Sequence, residues 1–179
     1  HPHTPLRRQR QMCIRDRLRE TGLKPKAKWV LAEGSDTSGM TRSIPIEKIL
    51  DDCLIAWAMN GEALRPEQGY PARLVVPGWE GNMWVKWIRR LEFGDKPYMT
   101  REETSKYTDL LTDGKARMFT WVMEAKSVVT SPSPEKPILH KGIQQLRGLA
   151  WSGKGKIKRV DVSLDCLLYT SPSPRDNTL

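Results

Sequence analysis

The stretch Gly69–Gly78, GYPARLVVPG, together with Asn82–Trp87, NMWVKW, decides how this chain is read. Two short apolar runs, Ala72–Val76 and Val85–Leu91, flank the Pro- and Gly-containing segment Pro77–Asn82, so they are predicted as paired strands. In a simple hairpin centred between Trp79 and Glu80, Arg73 faces Lys86. Like charges directly opposite each other on a sheet are destabilising. Both are also set among apolar neighbours, where an unpaired charge is costly. An anion between or above them would resolve the conflict: Arg grips a phosphate or pyrophosphate bidentately and Lys adds a point charge. From spacing alone a competing reading stands level with this one, in which both side chains reach out to solvent from an exposed face. A bulge would break the register.

Outward from this element the chain is β-rich. Lys28–Ala32 is predicted as a strand, followed by the polar loop Gly34–Gly39. Ile46–Asp52 is predicted to begin a helix behind Pro45, and the apolar run Leu54–Met59 ends at an Asn60–Gly61 turn. Thr100 and Glu103 have the spacing of a capping box, and Asp113–Gly114 reads as a turn. Composition changes after Met123. Ser127–Thr130, Leu146–Trp151 and Ile157–Val162 are strand candidates separated by SPSP and SGKG segments, the pattern of short antiparallel strands in a sandwich. A domain boundary is placed near Ala125. No internal repeat is visible.

The two ends read differently. Arg7–Arg17, RRQRQMCIRDR, is encoded by DNA containing AGATGTGTATAAGAGACA, and Cys166–Asp176, CLLYTSPSPRD, by DNA beginning TGTCTCTTATACACATCT. These runs are reverse complements, as expected of one sequencing-library adapter translated on both strands. Residues 1–17 and 166–179 are therefore assigned as adapter-derived, and such scars are excluded from fold reasoning. The rival is a basic arm for nucleic acid with a Ser/Pro-rich tail.

Without the arginines at 7, 8, 10, 15, 17 and 175, the basic count falls from 30 to 24; without Asp16 and Asp176 the acidic count falls from 21 to 19. The remaining excess, +5, suits an anionic ligand without demanding DNA. Cys53 is then the single interpretable cysteine, in an apolar run that marks it as a core residue. No apolar run is long enough for a membrane span. The seven tryptophans are spread without a basic stripe, so they are assigned to packing and no nucleic-acid partner is expected.

At this point the sequence resembles a known family. GYPARLVVPGWEGNMWVKW closely matches the molybdopterin-holding element of the sulfite oxidase family, and GLAWSGKGKIKRVDVSLD matches the start of that family's dimerisation domain. Within the family, PGWEGNMWVKWIRRL, MTREETSKYTDL and MEAKSVVTSPS look most like the molybdenum subunit of bacterial thiosulfate-oxidising systems. The resemblance implies an α+β, β-rich fold. Residues 18–124 would be the C-terminal part of a molybdopterin domain, and residues 125–165 the start of an Ig-like β-sandwich dimerisation domain.

It also implies site roles. Arg73, Lys86, Trp84 and Val85 fall at cofactor-contacting positions, the last two through backbone groups. Asp36 matches an Asp that accepts the pterin's N–H donors; alone, it reads as a turn-forming Asp. Gln68 stands where animal members have a cofactor-binding His, and cannot carry charge. Tyr107 follows Lys86 by 21 residues, the family's separation for its active-site Tyr; alone it reads as a surface-packed amphipathic side chain. The family's metal-ligating Cys lies upstream, so no metal ligand is assigned here and Cys53 is not promoted to one.

The activity implied for the parent protein is oxidation of sulfite or protein-bound sulfane sulfur at a molybdenum–molybdopterin centre. Electrons would pass to a c-type cytochrome, in the periplasm, with homodimer or higher assembly through the second domain. The alternative is a non-catalytic β-rich module whose basic residues bind an acidic partner. That alternative needs Arg73 and Lys86 exposed and far apart. Taken as written, the chain is expected to be inactive and to leave the apolar face of its second domain uncovered.

Overall fold

The computed structural model describes residues 11–138 and 140–163. The chain divides into two compact units, His1–Glu124 and Ala125–Leu179.

The first unit opens with β1 (Gln11–Cys13) and α1 (Ile14–Thr21), then β2 (Trp29–Gly34) and β3 (Thr41–Pro45). Next come α2 (Ile46–Asp51), β4 (Leu54–Ala56), β5 (Ala58–Met59) and β6 (Glu62–Ala63). A 3-10 turn at Pro66–Gln68 precedes β7 (Arg73–Val75), and a second at Gly81–Met83 precedes β8 (Ile88–Gly94). The unit ends with α3 (Arg101–Ser105), β9 (Asp109–Leu110) and β10 (Ala116–Arg117).

β2 is the central strand of an antiparallel sheet ordered β3-β2-β8. Its register runs Val30↔Ile44 on one side and Val30↔Phe93 on the other. Every β2 residue after Trp29 is buried, which is why the segment reads as a continuous apolar run rather than an alternation. α2 leaves β3 directly at Pro45 and buries Ile46 and Ile49, one helical face three residues apart. Lys48 on its other side pairs with Asp52 at 2.6 Å and donates to the Pro77 carbonyl at 2.8 Å.

A second antiparallel sheet is ordered β1-β4-β7. The core lies among Val30, Ile44, Ile49, Cys53, Leu74, Val76, Met83 and Val85. Each apolar side chain so buried contributes roughly 1.5–3 kcal/mol. Trp121 joins this core on its outer side, stacked on Trp79 with ring centroids 5.1 Å apart and tilted against Trp29 at 5.8 Å. Burial pushes the Cys53 thiol up to about 12, as befits a small core residue. Residues 11–17, assigned from sequence to adapter, form β1 and the first turn of α1, with Ile14 buried. A ladder is made of backbone groups that any sequence carries, so this pairing leaves the adapter assignment a proposal.

The predicted hairpin needs correction. β7 pairs with β4 and β8 pairs with β2, in different sheets. The two segments meet through only two backbone bonds, Leu74 N–H to the Val85 carbonyl at 2.8 Å and Ile88 N–H to the Ala72 carbonyl at 2.9 Å. The first keeps the predicted register and the second is displaced by one. Between them Trp87 takes a positive φ of 50°, an irregularity that turns the chain out of one sheet and into the other. The Asn60–Gly61 turn, with φ of 53° and 88°, joins β5 to β6 as the sequence signalled.

The second unit contains β11 (Lys126–Ser131) and β12 (Arg147–Trp151), an antiparallel pair with Val128 opposite Leu149. Val128, Val129, Leu149, Val160 and Val162 are exposed. The predicted strand Ile157–Val162 is not one: no ladder forms there among the described residues. Its Val160 and Val162 line a cavity of about 390 Å³ together with Val128 of β11 and Leu149 of β12.

Candidate functional site

Gly69 is the point on which the two predicted cations converge. It sits buried at a φ of 107°, where glycine alone is unstrained. A Cβ there would come within 2.9 Å of the Lys86 Cβ and 3.2 Å of the Arg73 Cβ. The stems of both basic side chains therefore press on one backbone atom. Their heads follow the same 3-10 turn: Lys86 Nζ donates to the Glu67 carbonyl at 2.6 Å, and Arg73 Nη1 to the Gln68 carbonyl at 3.0 Å. Trp87 Nε1 donates to the Pro66 carbonyl at 2.9 Å, so three consecutive carbonyls anchor the segment. The two cations are juxtaposed without the predicted hairpin, since β7 and β8 lie in different sheets. The close approach at Gly69 brings them together.

Arg73 is half-buried, and burial lowers the pKa of its guanidinium. Nη2 donates to the Trp84 carbonyl at 3.3 Å, while Nε is buried and has no hydrogen-bond partner. Among the described residues neither Arg73 nor Lys86 has a carboxylate within salt-bridge distance. Two neighbouring cations, one holding a buried unpartnered N–H, suit a phosphorylated ligand. Both are half-buried and share Gly69, which removes the main requirement of the acidic-partner alternative.

Gly34, at the end of β2, makes the matching approach on the other side of Lys86. A Cβ at Gly34 would lie 2.8 Å from the Lys86 carbonyl oxygen, 2.9 Å from Asp36 Oδ1 and 3.3 Å from Val85 Cγ1. The loop is held there by Ser35 N–H, which donates to the Trp87 carbonyl at 2.9 Å. Asp36 accepts from Ser38 Oγ and from Met40 N–H at 2.9 Å. The Ser38 hydroxyl, followed by backbone N–H groups, outweighs partial desolvation and holds the Asp36 carboxyl below the usual range. The structure thus gathers Asp36, Val85, Lys86 and Arg73 along one path through two glycines that the sequence reading had not assigned.

Two other candidates, Gln68 and Trp84, also make hydrogen bonds within the fold. The Gln68 side chain accepts from Arg65 N–H at 3.3 Å, closing the 3-10 turn, while its carbonyl serves Arg73. Trp84 donates from Nε1 to the Trp79 carbonyl at 3.1 Å, and its own carbonyl is taken by Arg73. Gln68, Arg73 and Trp84 also share one wall of a cavity of about 160 Å³ whose other lining residues include Met59 and Leu64.

Tyr107 lies in a separate cluster. Its carbonyl accepts from Thr120 N–H at 2.7 Å, and the Arg42 guanidinium carbon sits 4.4 Å from its ring centroid. Arg42, on β3, is fully buried and was missed in the sequence, where TRSIP carries no mark of a buried charge. It donates from Nε to Asn82 Oδ1 at 3.3 Å and from Nη1 to the Thr41 carbonyl at 3.0 Å. Beside it Glu103 is also buried, accepting from Ser43 N–H, from Ser43 Oγ at 3.0 Å and from Thr100 N–H at 3.0 Å. No group of three or more His, Cys, Asp or Glu residues able to hold a metal occurs among the described residues.

Comparison with known proteins locates these elements. A family model described as an oxidoreductase molybdopterin binding domain matches residues 12–102, and one described as a Mo-co oxidoreductase dimerisation domain matches residues 117–166. Mitochondrial sulfite oxidase of Drosophila melanogaster is 34% identical, covering 84% of this chain and 30% of that protein. An NADPH nitrate reductase of Mycosarcoma maydis is 30% identical, covering 78% of this chain and 17% of that protein. The crystal structure of the sulfane dehydrogenase SoxCD from Paracoccus pantotrophus matches with a TM-score of 0.76 and 62% identity, covering 83% of this chain and 38% of that one. The chain thus spans well under two thirds of the length of each.

Proposed function

Because this chain belongs to the family of oxidoreductases with a molybdopterin binding domain and is similar to sulfite oxidases and a sulfane dehydrogenase, we propose that it is a segment of a molybdenum-dependent sulfite or sulfane dehydrogenase. Sulfite oxidases and a sulfane dehydrogenase among its relatives support sulfur as the atom oxidised. The observation that carries the reading is the Arg73–Lys86 pair, brought together on Gly69 with no carboxylate in salt-bridge distance among the described residues. These two cations hold the phosphate of the cofactor, and Asp36, fixed by Ser38 and Met40, accepts N–H donors of the pterin. When bound, the molybdenum centre supplies the two-electron oxidation of sulfur. The chain's own task is to bind and orient the cofactor and to place a phenol, Tyr107, for hydrogen bonding to the substrate.

The electron acceptor is a c-type cytochrome and the compartment the periplasm. The match of residues 117–166 to a dimerisation domain supports a homodimer. No helix among the described residues is long and apolar enough to cross a membrane. The test is pterin and molybdenum content of the full-length enzyme. Arg73→Ala and Lys86→Ala are each expected to lower bound pterin at least about tenfold, the effect of losing one charge-assisted contact to phosphate. A folded wild-type protein with no pterin, or single variants that keep a full complement, would refute the reading.

A further inference from the structure

We propose that Arg42 is a positioning residue for Tyr107: its guanidinium, buried against the phenol ring, fixes the ring's orientation. Arg42 is the largest fully buried side chain of the described residues. Burial disfavours its charge, and the Tyr107 phenol, followed by the carboxylates of Glu103 and Glu102 beyond salt-bridge distance, opposes that cost. It has two hydrogen bonds, to Asn82 Oδ1 and the Thr41 carbonyl, and Nη2 is buried without a partner. Among the described residues no carboxylate lies within salt-bridge distance of it. The nearby Glu103 carboxylate is committed to Ser43 and Thr100.

A buried cation of this kind costs more than an apolar side chain of the same volume, so packing alone does not account for it. What it does have is the Tyr107 ring at 4.4 Å, a distance at which the quadrupole of the ring attracts a cation strongly once water is excluded. The attraction is directional and holds the ring face against the guanidinium plane. Asn82 and the Thr41 carbonyl fix that plane in turn, on two elements distant in sequence. The phenol oxygen is thereby aimed by a framework of β3 and the Gly81–Met83 turn, whereas Tyr107 itself follows the short helix α3 with little regular structure.

The inference rests on the proposed role of Tyr107, so its test has an arm independent of activity. In the cofactor-loaded full-length enzyme, Tyr107→Phe, Arg42→Met, Arg42→Lys and the Arg42→Met/Tyr107→Phe double variant are compared for pterin content, kcat and KM. Arg42→Met is expected to keep its pterin and its KM and to lose about tenfold or more in kcat. Arg42→Lys, which keeps a cation over the ring, recovers part of that loss. The double variant is expected to be no slower than Tyr107→Phe alone; additive losses would show that Arg42 acts through the fold at large and overturn the proposal.

In parallel, the cofactor-free protein with ring-labelled tyrosine is examined by NMR. A Tyr107 signal that moves in Arg42→Met, and moves back toward wild type in Arg42→Lys, supports the proposal. An unmoved signal in a folded variant overturns it. If the wild type carries no pterin, the functional reading fails and the NMR arm alone judges Arg42.

Discussion

The Glu103 cluster and the Arg73–Lys86 pair handle charge in opposite ways. Glu103 is a fully buried carboxylate that receives three hydrogen bonds from Ser43 and Thr100, joining β3 to α3. Arg73 and Lys86 are two cations brought together on Gly69 and given carbonyls and the indole faces of Trp84 and Trp87, with no carboxylate in salt-bridge distance among the described residues. Glu103 finds a full set of partners inside the fold, whereas the Arg73–Lys86 pair finds no anion there among the described residues, and the proposed ligand would supply it. The contrast separates residues that hold the fold from residues that hold a ligand, without reference to any relative.

The comparison is tested most severely at its structural pole. Glu103→Ala strands two backbone N–H groups and a hydroxyl in the core and is expected to lower stability by about 3 kcal/mol or more, read by denaturant unfolding. A loss under 1 kcal/mol would mean the cluster is not structural. Gly69→Ala comes next, because its new Cβ has no room beside Lys86 at a φ of 107°. About 2 kcal/mol is expected from the unfavourable φ and the clash, together with loss of bound pterin.

Arg73→Met is expected to remove the pterin while changing the stability of the cofactor-free protein by about 1 kcal/mol or less, since two bonds to carbonyls and a 5.7 Å contact with the Trp84 ring are lost while the relief of a half-buried charge offsets them. A large destabilisation there would erase the distinction between the two clusters. The smallest effect concerns Asp36, whose carboxyl is held below its ordinary value. A lowered carboxyl contributes stability above its unfolded pKa, near 3.8, and loses that contribution as pH falls through its folded value. Asp36→Asn is therefore expected to lower stability slightly at neutral pH and to flatten the acid limb below about pH 4, so that variant and wild type converge at low pH.

These clusters also show what a sequence can display. The capping box of Thr100 and Glu103 was legible because its spacing is local, but the bonds from Ser43, sixty residues away, were not. Strands β2, β11 and β12 were legible from apolar runs. The run Ile157–Val162 mixes three β-branched residues with three charged ones and forms no ladder among the described residues, because a strand needs a neighbour as well as a propensity. Arg73 and Lys86 were reached by an argument whose conflict of charge was sound while its hairpin was not, undone by the backbone of Trp87. Arg42 left no trace at all, since charge is the feature that usually marks a surface. Gly34 and Gly69 lay in plain view, yet only their neighbours in space reveal why a side chain is excluded.

The stacked indoles of Trp79 and Trp121, with planes 12° apart, carry a practical consequence. Two identical chromophores held this closely couple their excited states. The folded first unit should therefore display a split ultraviolet dichroism couplet of its own, extinguished when the rings separate. Exchange of Trp121 for a phenyl ring, which removes its pairing with both Trp79 and Trp29, would abolish that optical signature and leave the backbone bands in place.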